Sequence, residues 1–449
     1  MRQHPAHLLA LSLADTVLAG PAGQADMARA MTDALGQPWP WVVPVCRRLR
    51  RRAGDDLHAF SRDEIADIIC GHAGYDQAWH KTQTQPRIHR YCLQAARAPE
   101  KTPWQAALAV PALDTVGDLA HWLGLPVAEL LWYADQWRSN TPATPQMRHY
   151  HYRWVPKQSG GVRLIEAPKL RLRAIQRRLL SQLLDQVAPH PAAHGFRRGH
   201  SCLTHARLHT GQAVLIRMDL KDFFPSIPAP RLHALFGKLG YAHNVAAALA
   251  RLATHRTPSL AWSALPPASK PAPQALSQLR ERHLPQGAPS SPALANLCAF
   301  RLDVRLHALA QSLGARYSRY ADDLAFSGPA ALARAADRFH VQVAAIALEE
   351  GFVINTRKTR IMRAGVRQQL TGIVVNRHPN LARDEFDRLK ATLTNCARYG
   401  PAGQNRDGRD NFRAHLEGKV NYLAMLNPQR GAKLRRIFER IAWPEGAAQ

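Results

Sequence analysis

The sequence predicts an α+β fold: a small antiparallel sheet bearing acidic residues, set among many helices and preceded by a mainly helical N-terminal extension. Three observations predict it. Ala315 to Tyr320 and Leu324 to Ser327 read as short strands flanking Ala321-Asp322-Asp323, which makes a β-hairpin with an acidic tip. Ala213 to Met218 is an almost unbroken apolar run, as a buried strand is. Elsewhere apolar residues recur at the helical period, as in Leu113, Val116, Leu119, Ala120 and Leu123.

In chain order, residues 1–105 offer two helical stretches, Leu8 to Leu18 and Glu64 to Ile69. Met1 to Ala25 loosely imitates a signal peptide, but His4, His7 and Asp15 interrupt it, so an amphipathic helix is expected. Arg47 to Arg52 is a basic cluster, read as a solvated helix face or as a phosphate contact. Trp39 and Trp41 are expected to pack, and His58, His72, His80 and His89 lack metal spacing. Asp55-Asp56 reads as an ordinary exposed turn.

Pro111 to Trp137 should form two helices, with Gly124 ending the first and Pro126 in the opening turn of the second. Ser139 to Gln146 reads as a linker. His149 to Ile165 should be a hairpin turning at Gly160-Gly161, and Leu170 to Val187 a basic amphipathic helix. Thr257 to Ala275, rich in Pro, Ala and Ser, reads as a solvated surface insertion. A helix should start near Ser291 as N-cap, with Pro292 at its first position. Leu381 to Arg398 and Phe412 to Ile441 are helical, separated by the polar stretch Gly400 to Asp410.

A chain of 449 residues with 46% hydrophobic content can bury a sizeable core in two or three domains. The net charge of +27 points to a polyanionic partner, nucleic acid, although an Arg-rich composition accounts for part of it. The six cysteines form no C-x-x-C pair, so neither a zinc site nor a disulfide framework is expected. They suit a reducing compartment, and no apolar run reaches the ~18 residues of a bilayer span. A cytoplasmic protein without a membrane partner is the expectation.

Asp322 and Asp323 at one hairpin tip repel each other and gain nothing for folding. A divalent cation relieves that repulsion, since Mg²⁺ takes one or two carboxylates together with phosphates. Asp219 supplies a third acid at the end of the apolar strand, where a sheet can aim it. Three acids from two strands of a basic protein point to a phosphoryl-transfer site, in which two ions about 3.5–4 Å apart clamp the attacking and leaving oxygens. Taken singly, Asp322-Asp323 reads as an exposed turn and Asp219 as a helix N-cap.

These acids lie in an ordered series of blocks: Val155–Pro168, Leu172–Leu180, His194–Ser201, Asp219–Ile227, Leu284–Leu297, Tyr320–Asp323, Gly351–Thr359 and Leu370–Asn376. In this order the chain, from about residue 112 onward, resembles a prokaryotic reverse transcriptase of the retron type. The resemblance implies a right-hand polymerase fold with fingers, an RRM-like palm built on an antiparallel sheet, and a helical thumb. It divides the chain into an extension over 1–105, fingers and palm over 106–375, and thumb over 376–449.

The activity it implies is RNA-directed DNA polymerisation with two Mg²⁺ ions, Mn²⁺ being able to replace them. Asp219 and Asp322 would be direct metal ligands and Asp323 a more peripheral third. Lys157 and Arg163 would grip the incoming triphosphate, Phe224 would act as a steric gate against a 2′-OH, and Gln286-Gly287 would lie beside the nucleotide. Phe223 is expected in the core. Lys358 would sit near the departing pyrophosphate, and Tyr320 with Leu370, Thr371 and Gly372 would face primer and template. The implied partners are a structured non-coding RNA as template and primer, dNTPs, the DNA product and a defence effector protein. The implied product is a branched RNA–DNA hybrid made in anti-phage defence.

The chain has no Asn-Ala dipeptide, so it lacks the Asn-Ala-x-x-His element frequent in retron enzymes. Ser291-Pro292 keeps an ending that differs from that of diversity-generating elements. No zinc-type endonuclease pattern or RNase H segment is recognisable, so template removal is expected to fall to another protein. The alternatives are another defence-associated reverse transcriptase and, in a different class, a non-catalytic RNA-binding scaffold. An RNA-dependent RNA polymerase is disfavoured by Phe224.

Overall fold

A computed structural model describes residues 5–53, 57, 60, 62–80, 85–92, 102–135, 147–157, 160–266 and 273–443. Asp55, Asp56, His58, the 139–146 linker, and Gln158 and Ser159 of the hairpin loop lie outside the described residues. The chain divides into two compact units, Met1–Ala188 with Phe224–Cys298, and Pro189–Phe223 with Ala299–Gln449.

The first unit opens with five helices, Pro5–Leu18, Gln24–Leu35, Val42–Ala53, Arg62–Cys70 and Ala73–His80. Only two of these are legible in the sequence. The other three, Gln24–Leu35, Val42–Ala53 and Ala73–His80, are not read as helices from the sequence. The five share a core of their own, in which Leu13, Val17, Met31, Val45, Leu49 and Ile69 are almost wholly enclosed. Trp41 is buried edge-on against Tyr75 at 5.0 Å, so packing is its role. Leu49 faces inward while Arg47, Arg51 and Arg52 are exposed, and Arg48 donates to the Gly71 carbonyl at 2.8 Å.

The expected helix pair is Val116–Leu123 and Val127–Tyr133. Thr115 and Asp118 form a capping box, and Gly124 ends the first helix at φ 65°, the left-handed region glycine tolerates. Pro126 is the N-cap of the second helix rather than part of its first turn. The hairpin pairs β1 (Tyr150–Pro156) with β2 (Val162–Pro168), closed by Gly160 and Gly161 at φ 86° and 76°.

Three further expectations are corrected in this unit. The basic helix runs over Leu170–Gln182 and stops short of Val187, because the backbone leaves helical geometry at Leu183. Ser291 is the first residue of the helix Ser291–Cys298, not its cap, and its buried hydroxyl makes no side-chain hydrogen bond. The start of the 257–275 insertion is packed rather than solvated. Trp154 Nε1 donates to the Ala261 carbonyl at 2.9 Å, Trp262 tilts against Trp154 at 5.7 Å, and Thr257 is buried.

The second unit is built on a four-stranded antiparallel sheet of β3 (Val214–Asp219), β4 (Arg316–Tyr320), β5 (Asp323–Gly328) and β6 (Arg360–Arg363), in the order β4-β5-β3-β6. With the helices Phe300–Ser312 and Ala336–Glu349 between strands, this is a βαββαβ arrangement. Val214, Leu215, Ile216 and Met218 are fully enclosed, as their unbroken apolar run predicts. The strand ends at Asp219 and the chain turns through residues 221–226, with Asp222 at φ 47°. Phe223 is core as expected, beside Phe352, but the turn puts it there rather than strand alternation.

A two-strand hairpin follows, β7 (Gln369–Leu370) and β8 (Ile373–Val374). Helices Arg383–Tyr399, Phe412–Leu426 and Pro428–Phe438 close the chain around Leu393, Val420, Leu423 and Leu434. Gly431 lets the last two helices meet, since a Cβ there would lie 2.3 Å from Ala424 Cα. Among the described residues, no helix is long and apolar enough to cross a membrane.

Candidate active site

Asp219, the last residue of β3, stands directly opposite Asp323, the first residue of β5. Asp322 lies in the two-residue turn between β4 and β5. The sheet therefore brings the three predicted acids to one end. Ala321 holds the turn at φ 57°, a conformation that costs an alanine free energy. Its surroundings impose that shape. Arg319 donates to the Ala321 carbonyl at 3.0 Å, and Leu220 N–H donates to the Asp322 carbonyl at 2.9 Å. Gly195 packs so closely that a Cβ on it would lie 2.5 Å from the Ala321 nitrogen.

Arg319 is itself wholly enclosed. Its Nε and Nη2 donate to Asp303 at 2.8 and 2.6 Å, and Tyr317 donates to the same carboxylate at 2.7 Å. The guanidinium carbon also lies 5.6 Å from the Phe223 ring centroid. Behind the sheet, His209 links the hydroxyls of Ser318 and Ser327, at 2.7 Å each, and Ser318 continues to His205 at 2.7 Å. Burial, assisted by the charges of His194 and Arg316, holds His209 down to about 3, so this bridge is neutral.

The three acids have different surroundings. Asp219 accepts Lys358 Nζ through both oxygens at 3.0 Å and Asn355 Nδ2 at 3.2 Å. Asp323 is clamped by Arg217, whose Nε reaches one oxygen at 3.0 Å and whose Nη2 reaches both at 2.8 and 2.9 Å. Burial raises the Asp323 carboxyl and Arg217 only partly offsets it. Asp322 has no such cation clamp among the described residues. Burial, then the carboxylates of Asp219 and Asp323, push it up to about 6. Its negative charge is thus unfavourable in the protein alone, and a cation shared with Asp219 would relieve it.

Two or more oxygens with phosphates suffice for Mg²⁺. The donor set therefore fits that ion, although among the described residues no three His, Cys, Asp or Glu side chains cluster as a ready-made metal site. Arg217 and Asn355 are functional candidates that the sequence reading missed. Arg217 carried a signal, as the one charged residue within an apolar strand. Asn355 lies within the Gly351–Thr359 block, but only tertiary structure brings it to Asp219.

Of the residues expected to face primer and template, Tyr320 ends β4 and is half-buried. Leu370 is buried with Leu215, Ala325 and Ile373, and anchors the turn formed by Thr371 and Gly372 at φ 46° and 84°. Lys157, Arg163, Phe224 and Gln286 belong to the first unit. Arg163 is exposed on β2, Lys157 and Phe224 are half-buried, and Gln286 accepts the Glu166 N–H through its carbonyl at 2.9 Å. Gly287, at φ 134°, packs so close to β2 that a Cβ would lie 2.9 Å from the Glu166 carbonyl oxygen.

Comparison with known proteins bears on the same residues. The family model described as "Reverse transcriptase (RNA-dependent DNA polymerase)" matches residues 155–393, from the end of β1 into the first helix after β8. The Mx65 retron reverse transcriptase of Myxococcus xanthus is 41% identical over 344 residues, 74% of either chain. The Mx162 retron reverse transcriptase of Myxococcus xanthus is 34% identical over 78% of this chain and 72% of its own. The Ec86 enzyme of Escherichia coli is 31% identical over 52% of this chain and 64% of its own. The βαββαβ sheet is accordingly the palm of a right-hand polymerase fold, and the activity is RNA-directed DNA polymerisation. By its matched residues and its similarity to these enzymes, the chain belongs to the retron-type reverse transcriptases of prokaryotes.

Proposed function

We propose that the enzyme copies a cognate structured RNA into DNA that stays joined to it through a 2′-OH of that RNA, giving the branched hybrid (msDNA) of a retron in anti-phage defence. The observation that carries the reading is the juxtaposition of Asp219 and Asp322 in a chain of the retron family. Asp219 and Asp322 would hold two Mg²⁺ ions, with Asp323 at their edge. Ions held by these carboxylates would supply a lowered pKa at the primer hydroxyl and charge neutralisation on the triphosphate.

The chain's own residues take the other tasks. Lys358 would release Asp219 to the metal and follow the departing pyrophosphate. Lys157 and Arg163 would grip the triphosphate, Arg163 as a fork and Lys157 as a point charge. Phe224 would bar the 2′-OH of a ribonucleotide, and Gln286-Gly287 would line the nucleotide. Tyr320, Thr371 and Gly372 would hold primer and template, with Leu370 anchoring the turn. Fingers and palm would span 106–375 and the thumb 376–449. The test is to sequence the nucleic acid that co-purifies from cells carrying the native locus. One discrete RNA joined to DNA by a 2′–5′ branch is expected. DNA without a fixed RNA partner would support a different defence polymerase, and RNA alone a scaffold.

A further inference from the structure

Away from the acids, the first unit encloses an ion pair. Glu166 on β2 and His283 are each about 1% exposed and lie 2.8 Å apart, Oε2 to Nε2. The other ring nitrogen of His283 faces the Glu281 carbonyl at 2.9 Å. A carbonyl and a carboxylate both accept, so both ring nitrogens carry hydrogen and His283 is an imidazolium. Thr257 donates to the remaining Glu166 oxygen at 2.7 Å. His255, whose Nε2 lies 2.7 Å from the Tyr152 hydroxyl, exchanges both backbone hydrogen bonds with His283 at 2.9 Å. Arg282, the residue before His283, turns instead to Asp135.

This pair lies beside a backbone contact of another kind. Glu166 N–H donates to the Gln286 carbonyl, and the Glu166 carbonyl meets Gly287 where no side chain fits. One residue thus holds the Gln286-Gly287 turn by its backbone and His283, three residues earlier, by its side chain. Arg163 extends from the same strand. A buried pair of this kind is a poor source of stability, since desolvation consumes most of its attraction. It is a good source of registry.

We propose that Glu166 and the imidazolium of His283 are positioning residues that set the Gln286-Gly287 turn against the Arg163 strand, and so tune how the enzyme binds the incoming dNTP. This rests on the reading that Gln286-Gly287 lies beside the nucleotide. Burial alone would lower His283, but Glu166 outweighs it and holds the ring above its ordinary value. A raised histidine pKa keeps the pair whole at low pH and loses it as pH climbs through that value, above about 6.5. The groups facing the ring are Glu166 and Thr257 on one side, and His255, with Tyr150 and Tyr152 behind it, on the other.

The test is single-nucleotide incorporation by the full-length enzyme on a preannealed primer–template, with KM for dNTP and kcat measured across pH. The parent's KM should rise above neutral pH. His283→Gln should raise KM roughly tenfold with kcat nearly kept, inside the ~100-fold that a small misplacement can cost. That variant strands a buried carboxylate and can fail to fold. Glu166→Gln with His283→Gln restores a neutral hydrogen bond, so it should fold, recover part of the KM and show no rise with pH. A folded double variant with the parent's KM and the parent's pH dependence overturns the proposal. Gln286→Ala separates the two layers. If it raises KM while the double variant does not, only the positioning role fails. If it leaves KM unchanged, the turn does not touch the nucleotide and the reading beneath falls as well.

Discussion

Asp322 is the residue on which fold and chemistry pull apart. Its carboxyl is half-buried, set among like charges, and pushed up to about 6. Asp322→Asn removes that charge while keeping the shape of the turn. The variant should lose DNA synthesis yet melt no lower than the parent, and higher in metal-free buffer, where no cation offsets the repulsion. Near-parental primer extension by the variant would remove Asp322 from the chemistry. Gly195 is the complementary case, a residue with no chemistry of its own. A Cβ 2.5 Å from the Ala321 nitrogen cannot be accommodated by a rotamer change, because the obstacle is backbone. Gly195→Ala should therefore displace the turn that carries Asp322 and cut kcat by roughly a hundredfold, the scale of a 1 Å misplacement. An unaffected kcat would mean that the turn can shift without consequence.

At the scale of elements, the β4–β5 turn depends on a pair the sequence does not reveal. Arg319 and Asp303 come from a strand and a helix, both are wholly enclosed, and Arg319 also holds the Ala321 carbonyl. Removing one partner of such a pair strands a charge and costs about 3–5 kcal/mol, whereas replacing both by apolar groups is often neutral. Arg319→Met should lower the melting temperature sharply, and adding Asp303→Leu should restore most of it. Activity should not return with stability, because the Ala321 carbonyl still lacks its donor. Recovery of both would make the pair purely structural. The same elements mark where sequence reading works. The acidic hairpin and the apolar strand before Asp219 were legible because period-2 alternation and unbroken apolarity are local signals. The clamps on them, Arg217 on Asp323, Lys358 and Asn355 on Asp219, and Gly195 under the turn, join residues far apart in sequence. Only Lys358 was anticipated, as a site residue and not as a partner of Asp219. The Thr257 to Trp262 stretch was misread for a related reason: Pro, Ser and Ala resemble loop composition even when Trp154 and Glu166 pack against them.

At the scale of the molecule, the net charge of +27 points to a polyanionic partner, and the N-terminal helices offer one place where this can be tested. Three of the five were invisible as periodic patterns, yet together they enclose a core from Leu9 to Ala78. The Arg47–Arg52 cluster, read from sequence as a solvated face or a phosphate contact, is a helix face with Arg47, Arg51 and Arg52 exposed. None of the predicted catalytic, metal or nucleotide residues lies in this region. Deleting residues 1–105 should therefore weaken binding to the RNA that co-purifies with the parent enzyme and leave extension of a generic preannealed primer–template in place. Every phosphate that the deletion leaves without its arginine should flatten the dependence of log affinity on log salt by about 0.7–0.9, so the three exposed arginines set a change of roughly two to three. Filter binding across a salt series reads both quantities at once. Equal affinity with an equal slope would show that the cluster meets no phosphate, and the region would then be better tested as a platform for a protein partner. A weaker affinity with an unchanged slope would also count against the arginines, because a fall in affinity with counterion release intact means that they met no phosphate.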